Sequence, residues 1–438
     1  MSAAARALRR LVPDGTVAVA GGLGVLGVGT YGHLAIAGHA LDDAGLSTLS
    51  VLWSVSLVAT QGVFLPVEQE ITRLVAAATA RGEGTGHVVR RAAGLCGAAL
   101  AVLLGALALV AGPVADRLFA GDAAQVWILG GSVAGFAVAH VVRGILAGSG
   151  HLGWYGTQLG LDGALRLIVA GGLWLARVDA AAAYSAILIL APALSALATL
   201  RPALRPTGPG PLVGWSTLVK GLALLTVSTL MAQLVVNMPV VNARLLAPGN
   251  VAFVAALLAA LVLVRVPLFL FGSLQAALLP GLSAALAAGD ERAWRRLLAR
   301  ALGVVTVLAV AAGAVAVAAG PVLIRVLFDA PDALGRADFA LLAVGTLAYL
   351  WALVLGQGVL VRGRHRDQAA AWVAGGALLV AVTLAPGDVA LRVELGYAAG
   401  ALLVAVALAA VLLARRAQVP AATPSADRAA SVPAGGGR

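Results

Sequence analysis

The sequence predicts an all-α fold: a polytopic membrane protein of about twelve transmembrane helices in two parallel six-helix repeats around a central cavity. Three observations carry this. Of the 438 residues, 61% are hydrophobic and only 11% are charged, whereas a soluble domain carries about 25% charged residues. Arginines alternate in density from loop to loop. Two short motifs recur in the same order in each half.

So few charges cannot clothe a water-facing surface, and the mean hydropathy of +0.98 points to lipid as the solvent. A spanning helix needs about 20 apolar residues. Apolar runs fall near 15–39, 47–72, 92–112, 124–147, 152–176 and 180–200, then near 212–237, 250–280, 300–320, 338–361, 368–386 and 392–414. Unpaired backbone is too costly in hydrocarbon, and the alternating pattern of a barrel strand is absent, so each run is expected to be helical. Arg6, Arg9 and Arg10 precede the first run as in a secretory signal. That run is longer than a signal core and more follow it, so a retained first helix is expected. The expected division is a cytoplasmic segment 1–14, an N-lobe 15–205, a C-lobe 206–416 and a disordered cytoplasmic tail 417–438 rich in Ala, Pro, Ser and Gly.

Charge gives the orientation. With the N-terminus inside, inner segments hold Arg6, Arg9, Arg10, Arg73, Arg81, Arg90, Arg91, Arg201, Arg205, Arg292, Arg295, Arg296, Arg300, Arg362, Arg364, Arg366 and the four arginines of the C-terminal tail. Outer loops hold only Arg117, Arg177, Arg244, Arg325, Arg336 and Arg392, and lean acidic through Asp42, Asp43, Asp116, Asp122, Asp179, Asp329, Asp332 and Asp338. This is the positive-inside pattern, with both termini cytoplasmic. The net charge of +11 is therefore a topology signal. No basic, aromatic-interleaved surface for nucleic acid accompanies it.

The repeat is local but ordered. Gly112-Pro113-Val114 with Arg117 returns as Gly320-Pro321-Val322 with Arg325. Gly144-Ile145-Leu146 with His151 returns as Gly358-Val359-Leu360 with His365. Six helices separate the matched motifs, so the halves share one orientation, with a binding site expected between them.

Intramembrane polar residues are the candidate site. Charges at the centre of a span cost about 2.5–3.5 kcal/mol on insertion scales. The candidates are Glu68, Glu70, Arg143, Asp162, Arg166, Lys220 (the only lysine) and Arg265, with Gln61, His140, Gln158, Gln233, Asn237, Gln275 and Gln357 as uncharged company. Asp162 and Arg166 are four apart on one helix face, so they read as a self-neutralising pair or as an arginine shown to an anion. Arg143 and Lys220 are near enough to helix ends to snorkel. Glu68 and Glu70 sit beside Arg73, and local pairing or coupling is open to them. Arg265 lies near mid-helix with no acid on its own face and needs a partner elsewhere, or water. Together Arg265, Arg166, Arg143 and Lys220 suit a phosphate or pyrophosphate, which arginine binds bidentately.

Catalytic chemistry is poorly represented. No phosphate-loop lysine, zinc-protease motif or Cys/His metal pattern occurs, and Cys96 is the only cysteine. No cofactor or metal is expected, and no enzyme activity. The exception to weigh is the acidic pair Asp42-Asp43 in the first outer loop. It reads as a helix cap or as the acid pair of a membrane glycosyltransferase or polymerase.

The opening helix Gly21 to Gly32, followed by Leu41-Asp42-Asp43-Ala44-Gly45-Leu46-Ser47, carries a family resemblance. So do Phe64-Leu65-Pro66-Val67-Glu68-Gln69-Glu70-Ile71-Thr72-Arg73, Arg143 to Gly148, Leu161 to Arg166, Arg265-Val266-Pro267 and Leu278-Leu279-Pro280. On these the chain, over roughly 13–416, resembles bacterial polysaccharide flippases of the multidrug/oligosaccharidyl-lipid/polysaccharide exporter superfamily. The resemblance implies two six-helix lobes, alternating access and a bacterial plasma-membrane location. It implies an isoprenoid-linked oligosaccharide moved from the inner to the outer leaflet, with other polysaccharide-assembly membrane proteins as partners. The chain departs from the fourteen-helix pattern of peptidoglycan-precursor flippases. A cation-coupled multidrug antiporter of the same superfamily is the alternative, and it needs an acidic site from Asp162, Glu68 or Glu70.

Overall fold

The computed structural model describes residues 15–204, 208–210 and 215–414. The expected N-terminal segment 1–14 and the tail 417–438 lie outside the described residues. Every regular element among the described residues is helical: α1 (Thr16–Ala40), α2 (Asp43–Ala59), a π-helical turn (Thr60–Phe64), α3 (Leu65–Ala80), α4 (Gly86–Leu109), α5 (Ala111–Leu118), α6 (Ala123–Gly148), α7 (Leu152–Leu175) and α8 (Ala181–Ala203). The second half follows with α9 (Trp215–Leu246), α10 (Val251–Val264), α11 (Val266–Ala287), α12 (Glu291–Phe328), α13 (Arg336–Val361), α14 (His365–Thr383) and α15 (Val389–Leu413). Joining α2 to α3 through the π turn, α4 to α5, and α10 to α11 gives twelve crossings, six in each half. Among the described residues nine stretches are long and apolar enough to cross a membrane on their own composition; α7, α10–α11 and α14 are not in that set.

The acidic loops do local work. Asp42, Asp122 and Asp388 accept from the backbone N–H of Gly45, Ala124 and Leu391 at 2.8, 2.9 and 3.0 Å. Each caps the helix that follows, satisfying a donor the first turn leaves free. Asp42 of the acidic pair thus has a structural role, and Asp43 is the first residue of α2.

Glycines set the closest packing. α1 lies along α7, with Gly22 against the backbone of Gly156 and Gly29 against that of Gly163, where any Cβ would overlap main-chain atoms. Such small-residue seams are how spans approach without a hydrophobic driving force. Gly21 and Gly24 of the same helix have nothing within 4 Å of a Cβ position. They lie on the other side of α1, because residues one and two apart do not share a helix face.

In the first half α6 packs on α3 and α8, and α7 on α8; in the second, α15 packs on α13 and α14, α12 on α11 and α13, and α9 on α14 and α15. The halves meet where α9 and α10 lie on α2 and the π turn. On the acid-rich side Gly38 of α1 rests on the Phe328 carbonyl, and Arg244 of α9 donates from Nε to the Leu118 carbonyl at 3.2 Å. On the arginine-rich side α9 touches α3, and residues 208–210 run beside the turn before α4, with Gly86 N–H and His87 N–H donating to the Gly208 and Pro209 carbonyls at 3.0 and 2.8 Å.

Candidate functional site

Two breaks in helical regularity face each other between the halves. In the second span, Pro66 has no N–H to give the Gly62 carbonyl four residues back, and the chain takes a π turn there. The released carbonyl is 3.0 Å from the Thr229 hydroxyl of α9, whose single proton it shares with the Leu225 carbonyl of that helix at 2.8 Å. In the eighth span, Pro267 stands in the first turn of α11 and likewise removes a donor, so helix α10 ends at Val264 and Arg265 forms the junction. Arg265 was expected near mid-helix; its place at a break follows from the proline two residues on.

Between these breaks lies a cavity of ≈ 370 Å³. Tyr31, Trp53 and Gln61 line it from the first half, and Gln233, Asn237, Arg265 and Tyr349 from the second, with Thr30, leucines and valines completing the described wall. Its volume is in the range that accepts small organic groups. No carboxylate is among the described lining residues. Asn237 donates to Gln233 Oε1 at 3.0 Å, which ties the two amides together. The Arg265 guanidinium donates to the Val236 carbonyl and stands over the Tyr397 ring at 5.6 Å, while its Nε has no partner in the protein. The aromatic lining was not singled out from sequence, since aromatic residues in apolar runs look like ordinary core.

The other charged candidates gather elsewhere, inside the first half. Asp162 of α7 is held from both sides, Oδ2 by Arg143 Nη2 of α6 and Oδ1 by Arg166 Nε of its own helix, each at 2.9 Å. All three side chains are at most 6% exposed. The expected pair is thus a triad, and the Glu68 carboxylate is close enough to Arg143 to act on it as well. The Arg166 guanidinium lies 5.7 Å from the Trp53 ring centre and 5.6 Å from that of Phe136. Trp53 therefore separates the triad from the cavity it also lines.

Glu68 accepts from the Tyr155 hydroxyl at 3.0 Å and meets His140 Nδ1 at 2.5 Å. Glu70 pairs with Arg73 at 2.6 Å, towards the arginine-rich end. Lys220 is in the first turns of α9, and its side chain lies outside the described residues. Sequence reasoning passed over His33, which is fully buried beside Trp53 and Tyr184 with neither ring nitrogen bonded.

No family model matches this sequence, and no curated protein does. Solved structures do. A multidrug resistance MATE family transporter of the MOP superfamily in an inward-facing conformation superposes with a TM-score of 0.66 at 14% identity, over 87% of this chain and 92% of that one. The eukaryotic MATE transporter AtDTX14 gives 0.67 at 14% identity, over 91% and 93%. A substituted form of the Vibrio cholerae MATE transporter VcmN gives 0.66 at 14% identity, over 91% and 95%. At this identity the likeness concerns architecture: the chain has the twelve-helix, two-repeat fold of these transporters.

Proposed function

We propose that this protein is a transporter that flips an isoprenoid-(pyro)phosphate-linked oligosaccharide between leaflets by alternating access of two lobes, for cell-surface polysaccharide assembly. The observation that carries the reading is the described lining of the cavity between the halves: aromatic faces, amides and one arginine, with no carboxylate. Aromatic rings and amides suit sugar rings, which present apolar faces and many hydroxyls. A guanidinium in the lining suits a phosphate oxygen. The isoprenoid tail would stay in lipid.

In this reading Arg265 contacts the phosphate. Arg143 and Arg166 act from behind Trp53, and Lys220 assists from the arginine-rich end. The membrane is the bacterial plasma membrane, with the arginine-rich face cytoplasmic. The reading is tested by reconstituting the protein with a lipid-linked oligosaccharide and following its appearance in the opposite leaflet. Losing a charge-assisted contact worth about 1.5–3 kcal/mol, Arg265→Ala is expected to lower translocation about tenfold or more. Unchanged translocation would remove Arg265 from the site.

A second reading, a cation-coupled multidrug antiporter, is favoured by the solved structures that share the fold, two of which are described as multidrug resistance transporters. It requires an acidic group free to exchange cations. In the first half, Asp162 and Glu70 are bonded to arginine and Glu68 to His140 and Tyr155, which speaks against exchange at those three acids. Expression in a dye-sensitive host decides between them: resistance to cationic dyes conferred by the unsubstituted protein would favour the antiporter.

A further inference from the structure

One carboxyl is used by neither reading. Glu394 lies in the second turn of α15, near the acid-rich face, and is fully buried. Neither of its carboxyl oxygens has a hydrogen-bond partner. An ionised carboxylate in such a place would be unsolvated and unpaired, which proteins avoid by neutralising the group.

The surroundings offer no counter-charge. From α13 the facing group is Asp338, another acid, and at the head of α15 it is Asp388. Asp338 and Asp388 are themselves occupied as acceptors for the N–H groups of Gly335 and Leu391 at 2.6 and 3.0 Å. Arg392, two residues away, turns its Nη1 to the Ala385 carbonyl at 2.5 Å. The other helices packed on α15 bring uncharged groups at this level: Thr383 of α14 accepts from Asn242 of α9 at 3.5 Å. Three acids thus converge where α13 meets α15; no donor reaches the buried one, and Asp338 is close enough to share a proton with it.

We propose that Glu394 is a proton-binding site of the second half, loaded from the acid-rich face past Asp338 and Asp388, and that its proton holds α13 and α15 together. Loss of the proton would set a buried negative charge against Asp338 across the seam where Gly345 of α13 lies under the Tyr397 ring of α15. The seam then loosens or admits water. This links proton occupancy to the packing of the second half, whatever the central cavity carries.

Infrared spectra of the full chain in lipid nanodiscs, recorded over a pH series with and without sodium at constant ionic strength, test the site. A protonated-carboxyl band is expected at neutral pH, lost reversibly as pH rises, missing from Glu394→Gln, and with a shifted midpoint in Asp338→Asn. Hydrogen exchange at the acid-rich ends of α13 and α15 is expected to rise with pH in the unsubstituted protein and to stay flat in Glu394→Gln, a neutral isostere that keeps the fold. Absence of the band at neutral pH overturns the proposal, as does its survival in Glu394→Gln. So does its removal by sodium at constant pH, which would make this a metal-cation site, or the same pH-dependent exchange in Glu394→Gln. None of these readouts uses the cargo, so they stand or fall apart from the oligosaccharide reading.

Discussion

Asp162 shows how little a one-dimensional reading says about a buried charge. Its i, i+4 neighbour Arg166 is visible in the sequence, but its second partner, Arg143, is 19 residues away on another helix. Removing the acid strands two buried guanidinium groups, and breaking a buried pair costs about 3–5 kcal/mol. Asp162→Asn is therefore expected to lower the thermal stability of the purified protein sharply, by more than Glu70→Gln, whose partner Arg73 is largely exposed. A melting series in one detergent compares them. Arg265 was legible because a charge in an apolar run is conspicuous. Glu394 was not, because it sits two residues after Arg392, where the run seemed only to begin. Tyr31, Trp53 and Tyr349 carried no signal at all, since their chemistry depends on a void that exists only after the helices pack.

At the scale of elements, hydrophobic length located the spans, but three of them are interrupted, and Pro66 and Pro267 were the marks available for two. What the prolines could not tell was the compensation. Thr229 serves the carbonyl that Pro66 releases, and it comes from the other half of the molecule. Thr229→Val is expected to cost about 1 kcal/mol and to increase hydrogen exchange in the second span around residues 60–64; unchanged exchange there would show that water takes the hydroxyl's place. The glycine-rich first helix likewise announced close packing without naming the face. Gly22→Val and Gly163→Val are expected to reduce folded yield, while Gly21→Ala and Gly24→Ala leave it unchanged, because only the first two meet backbone. Size-exclusion profiles of the four variants would separate the faces.

At the scale of the whole molecule, two six-helix groups were readable from Gly-Pro-Val and Gly-Ile/Val-Leu, although the motif does not act alike in each half. Pro113 lies in a short separate helix, α5, while Pro321 is absorbed within the long α12. The halves are joined near the acid-rich face by Gly38 with Phe328 and Arg244 with Leu118, and near the arginine-rich face by α9 on α3.

The polar character of α7 also bears on how the chain is made. Its Asp162 is bonded to Arg143 and its Gln158 donates to the Ala139 carbonyl at 3.1 Å, both on α6; its glycine edge fits α1. All these partners are synthesised before it. A segment too polar to partition alone can thus leave the insertion machinery only while α1 and α6 wait beside it. If they do not, α7 stays out of the bilayer and every later span is threaded upside down. The buried triad is, on this view, a checkpoint in biogenesis as much as a feature of the finished protein. Topology reporters fused after α8 should reveal inverted molecules when Arg143 becomes Leu, and none when a surface residue of α6 such as Trp127 is changed instead.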